Sequence, residues 1–83
     1  MYYFYVLKSA KDGQYYYGST NNIERRLNQH QSKLVLSTQH RLPLILVYYE
    51  AYRTFSLARL RERQVKKSGN ARLTLFKRIN SGP

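Results

Sequence analysis

Residues 15–30 of this 83-residue chain read YYYGSTNNIERRLNQH, and this stretch decides how the chain is expected to fold. The tyrosines before Gly18 favour a β-strand, because aromatic side chains pack well on a pleated surface. Asparagine at position 21 or 22 is a good helix N-cap, and Ile23 with Leu27 forms the i, i+4 pair of a helix that lies on a sheet. The stretch therefore predicts a strand followed directly by an amphipathic helix.

The chain before this stretch predicts the partner of the strand. Residues 2–8 and 14–19 are both rich in aromatic and β-branched side chains, and the Asp-Gly pair at 12–13 is a strong hairpin signal. In an antiparallel hairpin with an even-length loop, odd positions of the first strand share a face with even positions of the second. Tyr5 and Tyr16 are therefore expected on one face of the sheet.

The chain after this stretch predicts a third strand and another helix. Residues 44–49 read LILVYY, and a strand that is apolar on both faces is expected at the centre of a sheet. Thr54 can cap a helix over about residues 55–67. The apolar stripe of that helix is expected to consist of Leu57, Leu60 and Val65.

A last helix is expected after Ser68-Gly69, with Asn70 as its cap. The fold class is α/β of the α+β type: a three-stranded antiparallel sheet flanked by helices, in the order β-β-α-β-α-α. One domain is expected over residues 1–80, with a loose tail at 81–83.

The composition indicates a polyanionic partner, because 15 Lys and Arg residues against 4 Asp and Glu residues give a net charge of +11. The chain has no cysteine, which excludes a disulfide scaffold and a thiolate zinc site. The longest apolar run, around residues 42–49, is far shorter than the ~20 residues of a membrane span, and the N-terminus lacks a signal-peptide pattern. A cytoplasmic location and no membrane partner are expected.

Two side chains of the first predicted helix suit phosphate chemistry. Arg26 and His30 fall within ~60° of Ile23 on a helical projection, whereas Arg25 falls on the far side. Arginine can contact two phosphate oxygens, and histidine exchanges a proton near neutral pH. A structural alternative stays open, in which Arg26 pairs with Glu50 or a backbone carbonyl and His30 only packs.

The tyrosines and Glu62 also allow two interpretations each. Tyrosine is a favoured strand residue, and exposed rings on a basic surface can stack with nucleobases. Glu62 lies at the edge of an apolar stripe, where its carboxylate could present an oxygen to Mg²⁺. The alternative is a surface salt bridge with Arg59 or Lys66.

Two tyrosine-containing triplets, an arginine helix and a glutamate helix follow one another in this chain. They are Tyr3-Phe4-Tyr5, Tyr16-Tyr17-Gly18, residues 24–30 and residues 57–67. In this order and spacing they resemble the GIY-YIG nuclease superfamily, specifically small standalone proteins similar to the catalytic domain of the ABC excinuclease. The resemblance spans roughly residues 2–68.

The resemblance implies metal-dependent hydrolysis of a nucleic-acid phosphodiester bond. Tyr5 would take the proton from the attacking water, Tyr16 would position groups at the phosphate, and Arg26 would stabilise its charge. His30 would assist in proton handling, and Glu62 would hold a single Mg²⁺ or Mn²⁺. A phenol with a pKa near 10 is a useful base only when nearby cations lower that pKa, and Arg26 with a bound metal would do so.

The resemblance also implies that Gly18 lets the backbone turn closely beside the site. With Gly18, three basic residues are expected to contact the substrate: Lys8, Arg63 and Lys66. DNA is the expected partner, with RNA left open and DNA repair as a candidate setting. The alternative is a nucleic-acid-binding module that keeps the scaffold without the activity.

The segment after His30 departs from the family pattern. It is commonly glycine-rich in the family, whereas here it contains the apolar run Leu34, Val35 and Leu36. Apolar side chains in an irregular segment favour burial, so a self-association surface is expected there.

Overall fold

A computed structural model describes residues 1–81 of the chain. The elements are β1 (Tyr2–Ser9), β2 (Tyr15–Thr20), α1 (Ile23–Gln31), β3 (Leu44–Tyr52), α2 (Phe55–Lys67) and α3 (Gly69–Asn80). The predicted fold class and element order are confirmed. Gly82 and Pro83 of the predicted tail lie outside the described residues.

The sheet is antiparallel with the strand order β2-β1-β3, so β1 is its central strand. Residues 4–7 of β1 are all buried. The prediction that residues 44–49 form the central strand is wrong, because β3 lies at an edge. Strand β3 is apolar on both faces for a different reason: α1 packs near one of its faces and α2 near the other.

The register between β1 and β2 pairs Tyr5 with Gly18 and Leu7 with Tyr16. The expectation that Tyr5 and Tyr16 share a face is therefore confirmed. This face, which we call the front face, forms a small core with α1 through Leu27. The opposite or back face carries Phe4, Val6 and Ser19, and it packs against α2 and α3.

Helix α2 begins after its predicted cap, since the Thr54 hydroxyl accepts a hydrogen bond from the Leu57 amide at 3.2 Å. Ala58 and Val65 are its buried residues, whereas Leu57 and Leu60 are exposed, so the predicted stripe is only partly correct. Polar side chains occupy the sheet-facing positions between Ala58 and Val65, and they bind the sheet through hydrogen bonds.

Ser68, and not Asn70, caps α3. Its hydroxyl accepts a hydrogen bond from the Ala71 amide at 3.2 Å, while its own amide donates to the Gln64 carbonyl at the end of α2. Ser68 can serve both helices because its backbone is extended, with φ −115° and ψ 118°. This single residue therefore both ends α2 and caps the start of α3.

Helix α1 ends in a left-handed turn at Lys33, which has a φ of +64°. The Lys33 amide donates to the His30 carbonyl and the Leu34 amide to the Gln29 carbonyl. This is the Schellman pattern, in which glycine usually holds the left-handed position. Leu34 and Leu36 in the segment that follows are exposed, and self-association through them stays a prediction.

Candidate active site

Strand β2 lies at an edge of the sheet, so side chains from both faces can meet around it. On the front face, α1 brings Arg26 and His30 towards Tyr5 and Tyr16. On the back face, α2 brings Glu62 into contact with β2. The predicted catalytic and metal-binding residues therefore meet at one edge of the sheet, where β1 and β2 supply the two tyrosines and α1 and α2 supply the other three residues.

Tyr5 and His30 form a buried hydrogen bond. The Tyr5 hydroxyl lies 3.2 Å from His30 Nε2. The Tyr16 ring lies edge-on to the same imidazole, with 5.0 Å between ring centroids. Because His30 is fully buried in the last turn of α1, its ring is held between the two tyrosines.

The contacts of Thr38 favour one tautomer of His30. Its Oγ1 lies 2.8 Å from His30 Nδ1 and 3.4 Å from the Val35 carbonyl oxygen. When the hydroxyl donates to that carbonyl, its oxygen accepts from Nδ1–H. His30 Nε2 is then the acceptor for the Tyr5 proton. Thr38 lies in an irregular segment where the sequence carries no periodic signal, so sequence reasoning missed it.

The protonation states of this pair follow from burial. Burial lowers the pKa of His30 to about 4, and the positive charge of Arg26 acts in the same direction. Burial also raises the pKa of Tyr5, and its interaction with Arg26 only partly opposes this. At neutral pH the resting protein therefore holds a neutral Tyr5 hydroxyl beside a neutral imidazole. Arg26 alone does not lower the Tyr5 pKa below that of a free phenol.

The Arg26 guanidinium faces the hydroxyls of both tyrosines. Its interaction with Tyr5 is the main reason that the pKa of Arg26 is raised, although burial opposes the rise. Its Nη1 also donates to Gln29 Oε1 at 3.1 Å. The open alternative, an Arg26–Glu50 pair, is not formed, since Glu50 binds Arg61 at 2.9 Å on the back face. The site thus contains a fixed positive charge beside two phenols.

Gly18 leaves the space that the Tyr5 side chain occupies. A Cβ atom built at Gly18 would overlap the hydroxyl oxygen of Tyr5 and lie 2.5 Å from its Cζ. Tyr5 can therefore lie across its partner residue and bring its hydroxyl to the β2 edge. This gives a physical reason for glycine at the position where the resemblance expected a close approach.

Glu62 is held at the same edge by two hydrogen bonds. Ser19 donates from its hydroxyl to Oε1 at 2.6 Å, and Lys66 donates from Nζ to Oε2 at 2.6 Å. The Glu62 side chain is mostly buried, whereas Lys66 is half exposed. The negative charge of Glu62 also acts on Tyr5 across β2, since it contributes to the raised pKa of that tyrosine. Sequence reasoning missed Ser19, which binds a residue 43 positions away.

The Glu62 carboxylate is the group at this edge that would hold a divalent cation of the Mg²⁺ type. One carboxylate oxygen already contacts a positively charged group, so the position is suited to a cation. Within residues 1–81 no group of three or more His, Cys, Asp or Glu side chains could enclose an ion. Mg²⁺ is commonly held by one or two carboxylates, with water and phosphate oxygens as its other ligands.

The other residues expected to bind substrate lie at different distances from this edge. Lys66 contacts Glu62 directly. Lys8 lies on the back face, with its Nζ 5.7 Å from the Tyr15 ring centroid. Arg63 lines a separate depression between α2 and α3. Substrate contact by Lys8 and Arg63 stays a prediction.

A cleft of about 450 Å³ opens at the β2 edge, beside the predicted catalytic residues. Arg26 and Ser19 reach it from the two faces of β2, and the turn from β2 into α1 closes one side. Its lining consists of Tyr2, Ser19, Thr20, Asn21, Arg25, Arg26, Gln29 and Phe55. Its rim is therefore cationic on one side and aromatic on the other.

In the described part of the chain, no helix is long and apolar enough to cross a membrane.

Several curated proteins and one solved structure that are similar to the chain carry the name UPF0213 protein. A UPF0213 protein of Bacillus licheniformis is 47% identical over 66 residues, which is 78% of this chain and 67% of that protein. A UPF0213 protein of Streptococcus agalactiae is 40% identical over 77 residues, 90% of this chain and 86% of that protein. The solution NMR structure of a UPF0213 protein from Bacillus halodurans superposes with a TM-score of 0.57 at 32% identity, covering 100% of this chain and 89% of that one.

A sequence model of one catalytic domain covers almost the whole chain. It is described as the GIY-YIG catalytic domain, and it matches residues 1–79. The match includes both tyrosines, Arg26, His30 and Glu62, which the structure brings to one edge of the sheet. The chain therefore belongs to the GIY-YIG catalytic domain family.

Proposed function

We propose that this protein is an endonuclease that hydrolyses phosphodiester bonds of DNA with one bound Mg²⁺ or Mn²⁺. The observation that carries the proposal is the hydrogen-bonded Tyr5–His30 pair beside Arg26, at the same strand edge as the Glu62 carboxylate. A proton acceptor, a cation for the phosphate and a carboxylate for a metal are the groups that phosphodiester hydrolysis requires. DNA repair is a setting consistent with this activity.

Tyr5 and His30 together can activate a water molecule. Tyr5 takes a proton from the water while its own proton passes to His30 Nε2, the acceptor in the tautomer that the Thr38 contacts favour. The water oxygen then forms a bond to phosphorus, and the bond from phosphorus to the leaving sugar oxygen breaks. Tyr5 then passes the proton that it took from the water to the leaving oxygen, while His30 returns its proton to Tyr5, so both residues end in their starting protonation states.

The resting protein does not make this transfer, because the pKa of Tyr5 is raised and that of His30 is lowered. An anionic phosphodiester bound by Arg26 places negative charge near His30, which favours its protonated form. A divalent ion on Glu62 supplies positive charge that favours the tyrosinate and polarises the phosphate. Catalysis is therefore expected to require both substrate and metal at the β2 edge.

The net charge of +11 and the Lys66–Glu62 ion pair also suit a second function, nucleic-acid binding without cleavage. The two functions predict different effects of Glu62→Ala. For a binding module, removal of an acidic residue leaves DNA affinity unchanged or raises it. For a nuclease, strand cleavage is lost.

The test incubates wild type and Glu62→Ala with supercoiled plasmid and with labelled branched DNA, first with Mn²⁺ and then with EDTA. Glu24→Ala is the matched control, since it removes the same charged group from the exposed side of α1. Metal-dependent nicking by wild type and the control, but not by Glu62→Ala, is the expected result. Equal nicking by all three proteins would indicate a contaminant. Binding without nicking would favour the binding module.

A further inference from the structure

Two aromatic rings line the cleft beside the predicted catalytic residues. Tyr2, the first residue of β1, and Phe55, the first residue of α2, have ring centroids 5.7 Å apart and an interplanar angle of 47°. Phe55 is 41% exposed although it is a large apolar residue. Both rings line the same cleft as Arg26 and Ser19. An aromatic pair, in which Phe55 is exposed and Tyr2 is partly buried, therefore adjoins the site where the phosphate is expected.

The position of Phe55 on α2 fixes its relation to the metal-binding carboxylate. Phe55 and Glu62 are seven residues apart, so they lie on nearly the same side of the helix. At 1.5 Å per residue their backbones are about 10.5 Å apart along the axis. This equals about three base steps of 3.4 Å in one strand of DNA. A nucleotide close to the cleaved bond can therefore reach Phe55.

The charges around the aromatic pair match a nucleotide. Arg25 and Arg26 lie on the opposite side of the cleft, where they can face the backbone phosphates. The Arg59 guanidinium lies over the Phe55 ring, with its Cζ 5.6 Å from the ring centroid, so a third positive charge adjoins the aromatic pair. Asn21 adds an amide whose oxygen accepts a hydrogen bond from Arg25 and whose NH₂ group can donate to the edge of a base. A flat apolar ring between phosphate-binding cations has the chemistry of a base-stacking platform.

We propose that Tyr2 and Phe55 form a nucleobase-stacking subsite that holds a base of the substrate strand about three nucleotides from the cleaved bond. The inference rests on the proposed function only in assigning the phosphodiester bond at the β2 edge as the one that is cut. A base inside a continuous duplex has both faces covered by its neighbours. The subsite therefore engages a base at a strand end, a gap or a branch point, where one face is open.

Binding measurements in EDTA test the subsite without any cleavage. The probes are a 12-nucleotide oligothymidine and an abasic chain of the same length, which keeps the phosphates but has no bases. Phe55→Leu keeps an apolar side chain but removes the aromatic face, whereas Phe55→Tyr keeps that face. Leu57→Ala is the matched control, because Leu57 is 45% exposed on the same helix. Thermal unfolding confirms that each variant is folded.

We expect Phe55→Leu to bind oligothymidine about tenfold more weakly than wild type, with unchanged affinity for the abasic chain. Phe55→Tyr and Leu57→Ala should match wild type on both probes. Unchanged oligothymidine affinity in Phe55→Leu, or equal losses on both probes, would overturn the subsite. If the subsite is confirmed and the protein nonetheless fails to nick DNA with Mn²⁺, the subsite stands and the proposed nuclease function falls.

Discussion

The Tyr5 hydroxyl lies above Gly18, its partner across the β1–β2 pair, in the space that a Cβ atom would fill. The Tyr5 hydroxyl is also hydrogen-bonded to His30 and faces Arg26. The absence of one side chain on β2 thus determines where the central hydroxyl of the site can be. This relationship can be tested independently of any substrate.

Gly18→Ala should destabilise the protein and displace the Tyr5 ring. The added Cβ would overlap the hydroxyl of a buried tyrosine, and overpacking of this kind typically costs about 1–3 kcal/mol. Urea unfolding measures the loss of stability, and the NMR signals of the His30 ring report the loss of its tyrosine partner.

Gly69→Ala is the control for this substitution. A Cβ at Gly69 would find its nearest neighbour, Arg72 Nη2, at 3.9 Å, which is an ordinary contact. Its stability should change by less than about 0.5 kcal/mol, as for most surface substitutions. Equal stability of the two variants would contradict the close packing of Tyr5 on Gly18.

Lys66→Met should tighten Mn²⁺ binding about two- to fivefold. Lys66 Nζ lies 2.6 Å from Glu62 Oε2 and competes for the carboxylate, and an exposed ion pair of this kind is worth about 0.5–1 kcal/mol. The free Mn²⁺ signal in electron paramagnetic resonance measures the affinity without substrate. Lys67→Met, which removes the same charge from the next residue, should have a smaller effect. Equal Mn²⁺ affinity of the Lys66 variant and wild type would show that Lys66 does not compete with the metal.

His30 should make stability depend on pH between about 6.5 and about 4. Its pKa is lowered from 6.5 to about 4 in the folded protein, so the unfolded chain binds more protons in this range. The contribution is fully present above pH 6.5 and is lost as the pH falls towards 4. Its slope approaches about 1.4 kcal/mol per pH unit.

Urea unfolding at several pH values measures this effect. His30→Gln should show a shallower loss of stability than wild type across the range. His40→Gln, which replaces the exposed histidine, serves as the control and should follow the wild-type profile. Parallel profiles for wild type and His30→Gln would contradict a buried neutral imidazole.

Lys33→Gly should stabilise the protein by about 1 kcal/mol. Lys33 holds a φ of +64°, which a side chain with a Cβ adopts only at a cost of roughly 1–2 kcal/mol. Glycine's greater freedom in the unfolded chain offsets part of this gain. Lys77→Gly removes the same charge from an exposed position inside α3 and should destabilise by about 1 kcal/mol. If Lys33→Gly and Lys77→Gly shifted the thermal unfolding temperature in the same direction, this account of the turn at Lys33 would be contradicted.

Most of the fold could be predicted because its elements have clear local signals. The Asp-Gly turn and the alternation of the strands set the hairpin register, and Thr54 marks the start of α2. The place of β3 could not be predicted, because a strand that is apolar on both faces shows only that two layers cover it. The exposed Leu57 could not be predicted either, since polar side chains on α2 take the sheet-facing positions through hydrogen bonds.

The positions of the candidate site residues could be predicted more readily than the hydrogen bonds that hold them. Helical periodicity places Arg26 and His30 on one face of α1, and the hairpin register places Tyr5 on the same face of the sheet as Tyr16. The roles assigned to these residues rest on the family resemblance and stay predictions. The roles of Ser19 and Thr38 are set by contacts with Glu62 and His30 that exist only after packing. Pattern reasoning cannot recognise a short hydroxyl side chain of this kind, because serine and threonine are common in strands and loops for other reasons.

The division of the site between two faces of one edge strand has a consequence for the newly made chain. In a chain with only α1 docked, the groups proposed for proton transfer would be in place without Glu62, and with only α2 docked the reverse would hold. The proposed nuclease activity would therefore depend on the packing of both helical layers, so it would arise only in the completed fold.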